Sequence, residues 1–286
     1  MNNFEGIQIN NLVKEFGSSR AIDDVNIRFE KGKIYGVLGR NGAGKTTMFN
    51  LITNRLFPTS GSIMIDGQIA TENDVAQGKV YMMSERNLYP DTYKVKEVFE
   101  CTKRFYPGFD DEYAKELCDL FDLNPKKVLK ELSTGYTSIY KLITALCVKA
   151  EYILLDEPVL GLDANHRDLF YRCLIESYSN NPRTFLISTH LIEEVANVIE
   201  KVIIIKNGKI IRNQSCEELL AGGYTISGPI SLVDDYIKGK EVLGTTILGG
   251  LKTVNVCGQY DKTETPVGIE ITKLDLQKMF IDLTNN

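Results

Sequence analysis

Along the first forty residues apolar and polar positions alternate. Val25, Ile27 and Phe29 are separated by polar neighbours, a period of two that predicts a strand with one buried side. Lys31-Gly32 supplies a turn, and the short apolar run at 33–38 predicts a strand that enters a glycine-rich loop. A helix is expected from about Gly44, with Met48, Phe49 and Ile52 on its inner side. Asp66-Gly67 between apolar flanks is a hairpin signal. From about 86 to 149 the texture turns helical. Tyr113, Leu117 and Phe121 recur at i, i+4, i+8, and Ile139, Leu142, Ile143 and Leu146 lie on one helix face. Strand patterns return at 152–158, 184–190 and 201–211, the last turning at Asn207-Gly208. Strands therefore surround an inserted helical stretch. Gly222-Gly223 marks a boundary, and the rest ends in a helical pattern at 274–283. The expected division is 1–222 as one domain, its helical part at about 86–149, and 223–286 as a small accessory domain. There is no internal repeat and no low-complexity tract.

The loop after the 33–38 strand carries the first chemistry. Gly39, Arg40, Asn41, Gly42, Ala43, Gly44, Lys45 and Thr46 match G-x-x-x-x-G-K-[ST], and the strand before and helix after give the motif its meaning. Glycines let backbone N–H groups turn inward around phosphate oxygens. Lys45 reaches the β- and γ-phosphates, the Thr46 hydroxyl ligates Mg²⁺, and the helix N-terminus adds its positive end. Thr47 is counted in the same phosphate site. The run "YILLDEP" at 152–158 ends in two acids. An acid at a strand end holds Mg²⁺ in phosphate-loop enzymes, which assigns Asp156 to the metal and Glu157 to polarising the attacking water.

Composition narrows the partners. With 286 residues and 43% apolar content, the chain is long enough for one large domain or a domain with an appendage. A formal net charge of -5 argues against non-specific binding to nucleic acid. The six cysteines show no C-x-x-C spacing and there are two histidines, so a zinc site or disulfide framework is not expected. Reduced, mostly buried thiols are. The N-terminal stretch lacks the basic and apolar regions of a signal peptide. No apolar run approaches the ~20 residues of a membrane span, so no direct span is expected. Contact with a separate membrane protein stays open.

The later motifs make the pattern specific. "LSTGY" at 132–136 precedes a helix and then Asp156, "GLD" occupies 161–163, and His190 ends "FLISTH". In order and spacing, from about residue 5 to 220, the chain resembles the ATP-binding subunit of an ABC transporter. The resemblance implies an α/β fold of the P-loop NTPase class: a RecA-like mixed sheet core, an antiparallel β subdomain and an inserted α-helical subdomain, here with a small C-terminal α+β appendage. It implies ATP and Mg²⁺ as ligands and hydrolysis that drives transport through a separate transmembrane permease. The expected place is the cytoplasmic face of the membrane. Two ATPase subunits, alike or paralogous, would face head to tail, each ATP lying between Lys45 of one and Ser133, Thr134 and Gly135 of the other. Phe16 would stack on adenine, His190 would bond the γ-phosphate, and Asp163 would belong to the D-loop.

Two departures stand out against that resemblance. Thr134 and Tyr136 replace the usual Gly and Gln of the signature, and Glu85 falls where a glutamine is usual, still able to serve Mg²⁺. The groove near Glu85 would receive a cytoplasmic helix of the permease. The aromatic stretch 103–109 reads as core rather than interface, Lys126, Lys127 and Lys130 as a solvated face, and His166 as a solvated helix residue. "YMMSERNLYP" and the short tail resemble the ABC-2-type exporter branch, with an amphipathic or antimicrobial peptide, or a drug, as cargo. Two alternatives stand beside this. One is a binding-only partner in an asymmetric ATPase pair. The other is a soluble ABC ATPase of translation or repair, against which the single phosphate loop, the lack of heptads and the acidic charge all count.

Overall fold

The computed structural model describes residues 4–260 and 266–285, so parts of the N-terminal stretch and of the expected accessory domain lie outside the described residues. The alternating N-terminal pattern forms β1 (Gly6–Phe16) and β2 (Ser19–Glu30), an antiparallel pair in which Val25, Ile27 and Phe29 are buried. β4 (Ser60–Ile65) adds to β1, and β5 (Gln68–Ile69) adds to β4. Asp66 and Gly67 turn that hairpin with φ of 48° and 76°, the backbone sign a two-residue hairpin loop requires.

The second sheet carries the chemistry. Its strand order is β10-β9-β3-β8-β7-β6. β3 (Ile34–Leu38), β6 (Val80–Met83), β7 (Tyr152–Asp156), β8 (Thr184–Thr189) and β9 (Lys201–Lys206) are parallel, and β10 (Lys209–Ser215) returns antiparallel at the edge. β3, β7 and β8 are apolar without alternation because both faces are covered. Tyr35 and Val37 face a core shared with the antiparallel sheet and α1 (Lys45–Ile52). Ile34 and Leu38 face a second core shared with the helices.

Those helices are α3 (Val95–Phe105), α4 (Asp111–Leu120) and α5 (Thr134–Cys147), inserted between β6 and β7, with α6 (Ala164–Asn180) and the one-turn α7 (Ile192–Val195) behind β7 and β8. A single turn, α2 (Asp74–Gln77), precedes β6. Ile139, Leu142, Ile143 and Leu146 are all buried on α5, as their spacing requires. The aromatic stretch 103–109 divides. Phe109 is buried, Tyr106 gives its hydroxyl to Val80 O (2.7 Å), and Phe105 is 74% exposed, because α3 ends there and the chain turns.

After α8 (Cys216–Ala221) a third sheet forms in the order β12-β13-β11-β14, all antiparallel. Its strands are β11 (Gly223–Pro229), β12 (Val242–Leu248), β13 (Leu251–Cys257) and β14 (Glu270–Lys273). With α9 (Ile230–Tyr236) they enclose their own core around Ile226, Val233 and Val254. The last helix, α10 (Leu276–Asn285), buries Leu276, Met279 and Phe280 back in the helical core of the second sheet. Among the described residues the six cysteines are free, and no helix is long and apolar enough to cross a membrane.

Candidate active site

Parallel β3, β8 and β7 release their chains at one sheet edge, where open α/β sheets bind ligands. β3 runs into the loop 39–44, and Lys45 opens α1. Gly44 has φ 111°, and a Cβ there would stand 2.6 Å from Ala21 O, so only glycine closes this turn. The Lys45 side chain is 6% exposed. Its Nζ donates to Gly39 O (2.6 Å) and lies 3.4 Å from Glu157 Oε1. Arg40, Asn41 and Gly42 are exposed at the loop tip, Ala43 is buried and Thr47 is half-buried.

Asp156 ends β7 with no exposure. Its Oδ1 accepts from Thr46 Oγ1 (3.1 Å) and Ser188 Oγ (2.5 Å), while Oδ2 is buried without a partner. Burial pushes its carboxyl above the usual range, and the Ser188 and Thr46 hydrogen bonds only partly offset this. A buried carboxylate with a spare oxygen beside a threonine hydroxyl is the donor set of a hard divalent cation, so these residues fit Mg²⁺. Glu157 follows with φ 47°, a left-handed conformation that costs a non-glycine residue roughly 1 kcal/mol. This turn throws its side chain back over the loop, where Oε2 meets His190 Nδ1 at 2.9 Å. His190 stands at the end of β8, its side chain 40% exposed.

Lys45, Thr46, Asp156, Glu157 and His190 are thus brought together. Other residues singled out in the sequence lie elsewhere. Phe16 ends β1, half-exposed, with Lys14 Nζ 5.0 Å above its ring. Glu85 is exposed. Its carbonyl accepts from Lys141 Nζ (2.6 Å), and no hydrogen bond or ion pair joins its carboxylate to Thr46 or Asp156. Burial lowers the Lys141 pKa. Arg55, Tyr81, Tyr89, Phe105 and Lys141 line a neighbouring groove of about 220 Å³ between the sheet and the helices.

Ser133 caps α5, its Oγ accepting from Tyr136 N (3.3 Å). A Cβ on Gly135 would lie 2.8 Å from Gly161 O, and Ser138 Oγ donates to Leu160 O (2.7 Å), so this end of α5 rests on the 160–161 loop. Asp163 caps α6 through His166 N (2.9 Å). His166, expected in solvent, is instead half-buried. Its ring is 6.1 Å from Phe121 and 6.3 Å from Tyr136, and Nδ1 meets Asp163 Oδ2 at 2.9 Å. Lys127, exposed like Lys126 and Lys130, places its Nζ 5.8 Å over the Tyr136 ring.

Sequence reasoning missed three supports. Ser188 holds Asp156. Arg167 of α6 pairs with Glu194 of α7. Arg183 is buried at the far end of α5, where it donates to Leu146 O (3.1 Å), Ser177 Oγ (2.7 Å) and Val148 O, and burial lowers its pKa. No motif marks them. Only the Arg167–Glu194 pairing of a base with an acid offered a signal, and it fixes no partner in a chain with many charges.

A parallel sheet that delivers a phosphate loop and two adjacent acids to one edge places the chain in the class of P-loop nucleotide hydrolases. The family described as ABC transporter matches residues 22–160. Over 214 residues the chain is 32% identical to the ABC transporter ATP-binding protein YtrB of Bacillus subtilis (strain 168), covering 74% of this chain and 73% of YtrB. It is 27% identical over 216 residues to the bacitracin transport ATP-binding protein BcrA of Enterococcus faecalis, covering 74% of this chain and 70% of BcrA. Osmoprotectant and sulfate/thiosulfate import ATP-binding proteins are also similar to it. Its fold matches a solved ATP-binding subunit of an ABC transporter with a TM-score of 0.67 at 19% identity, covering 75% of this chain and 91% of that one. The chain belongs to the ATP-binding proteins of ABC transporters. It is an ATPase subunit of a transporter.

Proposed function

We propose that this ATPase powers export through a separate transmembrane permease, with an amphipathic peptide as cargo. The hydrolytic part of the reading is carried by the Glu157–His190 contact of 2.9 Å, held 3.4 Å from Lys45 at the mouth of the phosphate loop. ATP enters with its phosphates over the loop amides. Lys45 exchanges Gly39 O and Glu157 for the β- and γ-phosphate oxygens. Glu157 then accepts a hydrogen bond from a water in line with the γ-phosphorus. That water's oxygen forms the new P–O bond as the bond to the β–γ bridging oxygen breaks, its proton passes to Glu157, and ADP leaves. His190 orients Glu157 and donates to the γ-phosphate, where charge develops. Thr46 and Asp156 would hold Mg²⁺, which supplies positive charge beside the phosphate oxygens. Phe16 receives the adenine, and Glu85 stands by at the loop that follows β6.

The other half of each site comes from a second subunit. Ser133, Thr134 and Gly135 open a helix whose free N–H groups favour an anion, and in a head-to-tail pair they close on the partner's ATP, with Asp163 beside them. The groove beside Glu85 and Phe105 takes a cytoplasmic helix of the permease, which places the subunit at the inner membrane face. Residues 1–222 form the nucleotide-binding unit and 223–286 an accessory unit. The similarity to BcrA, named for bacitracin transport, supports the peptide cargo. The presence of both Glu157 and His190 favours an active subunit over a binding-only one.

The test is MgATP hydrolysis by the purified chain beside Glu157→Gln, with mass followed by light scattering. Turnover should fall by about a hundredfold or more in the variant, which accumulates as an ATP-bound dimer. Undiminished turnover in Glu157→Gln would overturn the assignment. For the cargo, the subunit reconstituted with its permease should be stimulated by bacitracin-like peptides.

A further inference from the structure

The C-terminal helix leaves its own sheet and packs beside the ATPase chemistry. Phe280 is 7% exposed and shares an apolar core with Ile192 and Val195 of α7 and Ile204 of β9. Gln277, Phe280 and Ile281 form one wall of a cavity of about 240 Å³, and the segment 190–194, starting at His190, forms the other. One turn further along α10, Thr284 borders a second cavity of about 390 Å³ with Arg40, Asn41, Gly42 and Ala43 of the phosphate loop. Lys206 Nζ donates to Leu283 O (3.5 Å) nearby. On its other side the helix is tied to the third sheet. Asn255 Nδ2 donates to Asp282 Oδ2 (2.6 Å), and Thr225 Oγ1 donates to Asn255 Oδ1 (2.8 Å).

This matters because α7 is four residues long. A helix of one turn does not hold itself, and its place is set by what it packs against. Leu191 N donates to Thr189 Oγ1 (3.0 Å) at its start, and Glu194 pairs with Arg167 on α6. α10 covers another side. Among the described residues the His190 imidazole bonds to Glu157, and it moves with the segment that carries it.

We propose that Gln277 and Phe280 are positioning residues of the ATPase: through the segment 190–194 they set where the His190 imidazole stands relative to Glu157. The accessory unit thereby becomes part of the hydrolytic machinery. This inference rests on the role given to His190 above.

The experiment compares full-length Phe280→Ala, Phe280→Leu, Gln277→Ala and His190→Ala. Val254→Ala, which thins the accessory core without touching α7, is the stability control. Turnover, ATP KM and hydrogen–deuterium exchange across 190–196 are read for each. In Phe280→Ala, kcat should fall about tenfold with KM within twofold, as a small misplacement of a reacting group does. Exchange across 190–196 should rise, Gln277→Ala should show a milder form of both, and Phe280→Leu should restore them. Val254→Ala should keep wild-type kcat and exchange at 190–196. If His190→Ala is inactive while Phe280→Ala matches Val254→Ala in both readouts, the role of α10 is overturned alone. If His190→Ala turns over normally, the reading of His190 fails and the α10 role goes with it.

Discussion

Asp66 is a carboxylate pulled two ways. Burial works to raise its pKa, but hydrogen bonds from Lys79 Nζ (2.5 Å), Tyr152 Oη (2.5 Å) and Gly6 N (2.9 Å) prevail and hold it below the usual range. A carboxyl depressed on folding stabilises the protein above its unfolded pKa, and that contribution is lost as pH falls through the folded value. Asp66→Asn should therefore cost roughly 1–2 kcal/mol at pH 7. Thermal melts of the two proteins should converge as the pH drops below about 4. Residues of this kind were partly legible in the sequence. The Asp66-Gly67 dipeptide announces its turn, because the turn is local chemistry. Its bond to Tyr152 joins distant parts of the chain and has no local sign. The same divide runs through the candidate site. Lys45, Thr46, Asp156 and Glu157 could be read because each sits at a fixed offset from a strand end. Ser188 could not, since a serine inside an apolar strand acquires meaning only from the β7–β8 register that sets it opposite Asp156.

At the scale of elements, α5 is held at both ends. Its N-terminus rests on the 160–161 loop, and its last carbonyls are taken by Arg183, which is 7% exposed. Removing that guanidinium leaves buried carbonyls without donors. Arg183→Ala should cost about 3 kcal/mol and lower Tm by roughly 5–10 °C in calorimetry. Arg183→Lys should recover only part of this, because one ammonium does not reproduce a planar fork of donors. An unchanged Tm would mean that α5 does not depend on this cap. The period of apolar residues disclosed α5 and its buried face, since a fourteen-residue helix repeats its pattern several times. Short elements repeat nothing. The single turn of α7 was therefore invisible. Pro107-Gly108 marks the break that follows α3, but nothing local tells that Phe105 and Phe109, four residues apart, end up on opposite sides of the surface. His166 was misread for a related reason. Its sequence neighbours are charged, but Phe121 and Tyr136 reach it from other helices.

For the whole molecule, motif order carried the fold, because a phosphate loop, a helical insertion and paired acids in that sequence fit one arrangement of the parallel sheet. The docking of α10 on α7 escaped, since it brings together residues near 190 and 280 with nothing local to mark the pairing. Whole-molecule geometry also makes the composite site testable. Ser133–Gly135 rest on the 160–161 loop, and none of their hydrogen bonds reaches Lys45 of the same chain. If each site joins the Lys45 of one subunit to the Gly135 of the other, a Lys45→Ala chain and a Gly135→Asp chain are both inactive alone. In a mixed dimer both defects fall in one site and leave the other whole. Random pairing of equal amounts makes half the dimers mixed, each with one intact site of two. The mixture should then regain about a quarter of wild-type turnover per chain if the sites act independently, and at other ratios the gain should follow the product of the two chains' fractions. A site contained within one chain gives no recovery at any ratio. Steady-state ATPase across mixing ratios, peaking at equal amounts, separates the two.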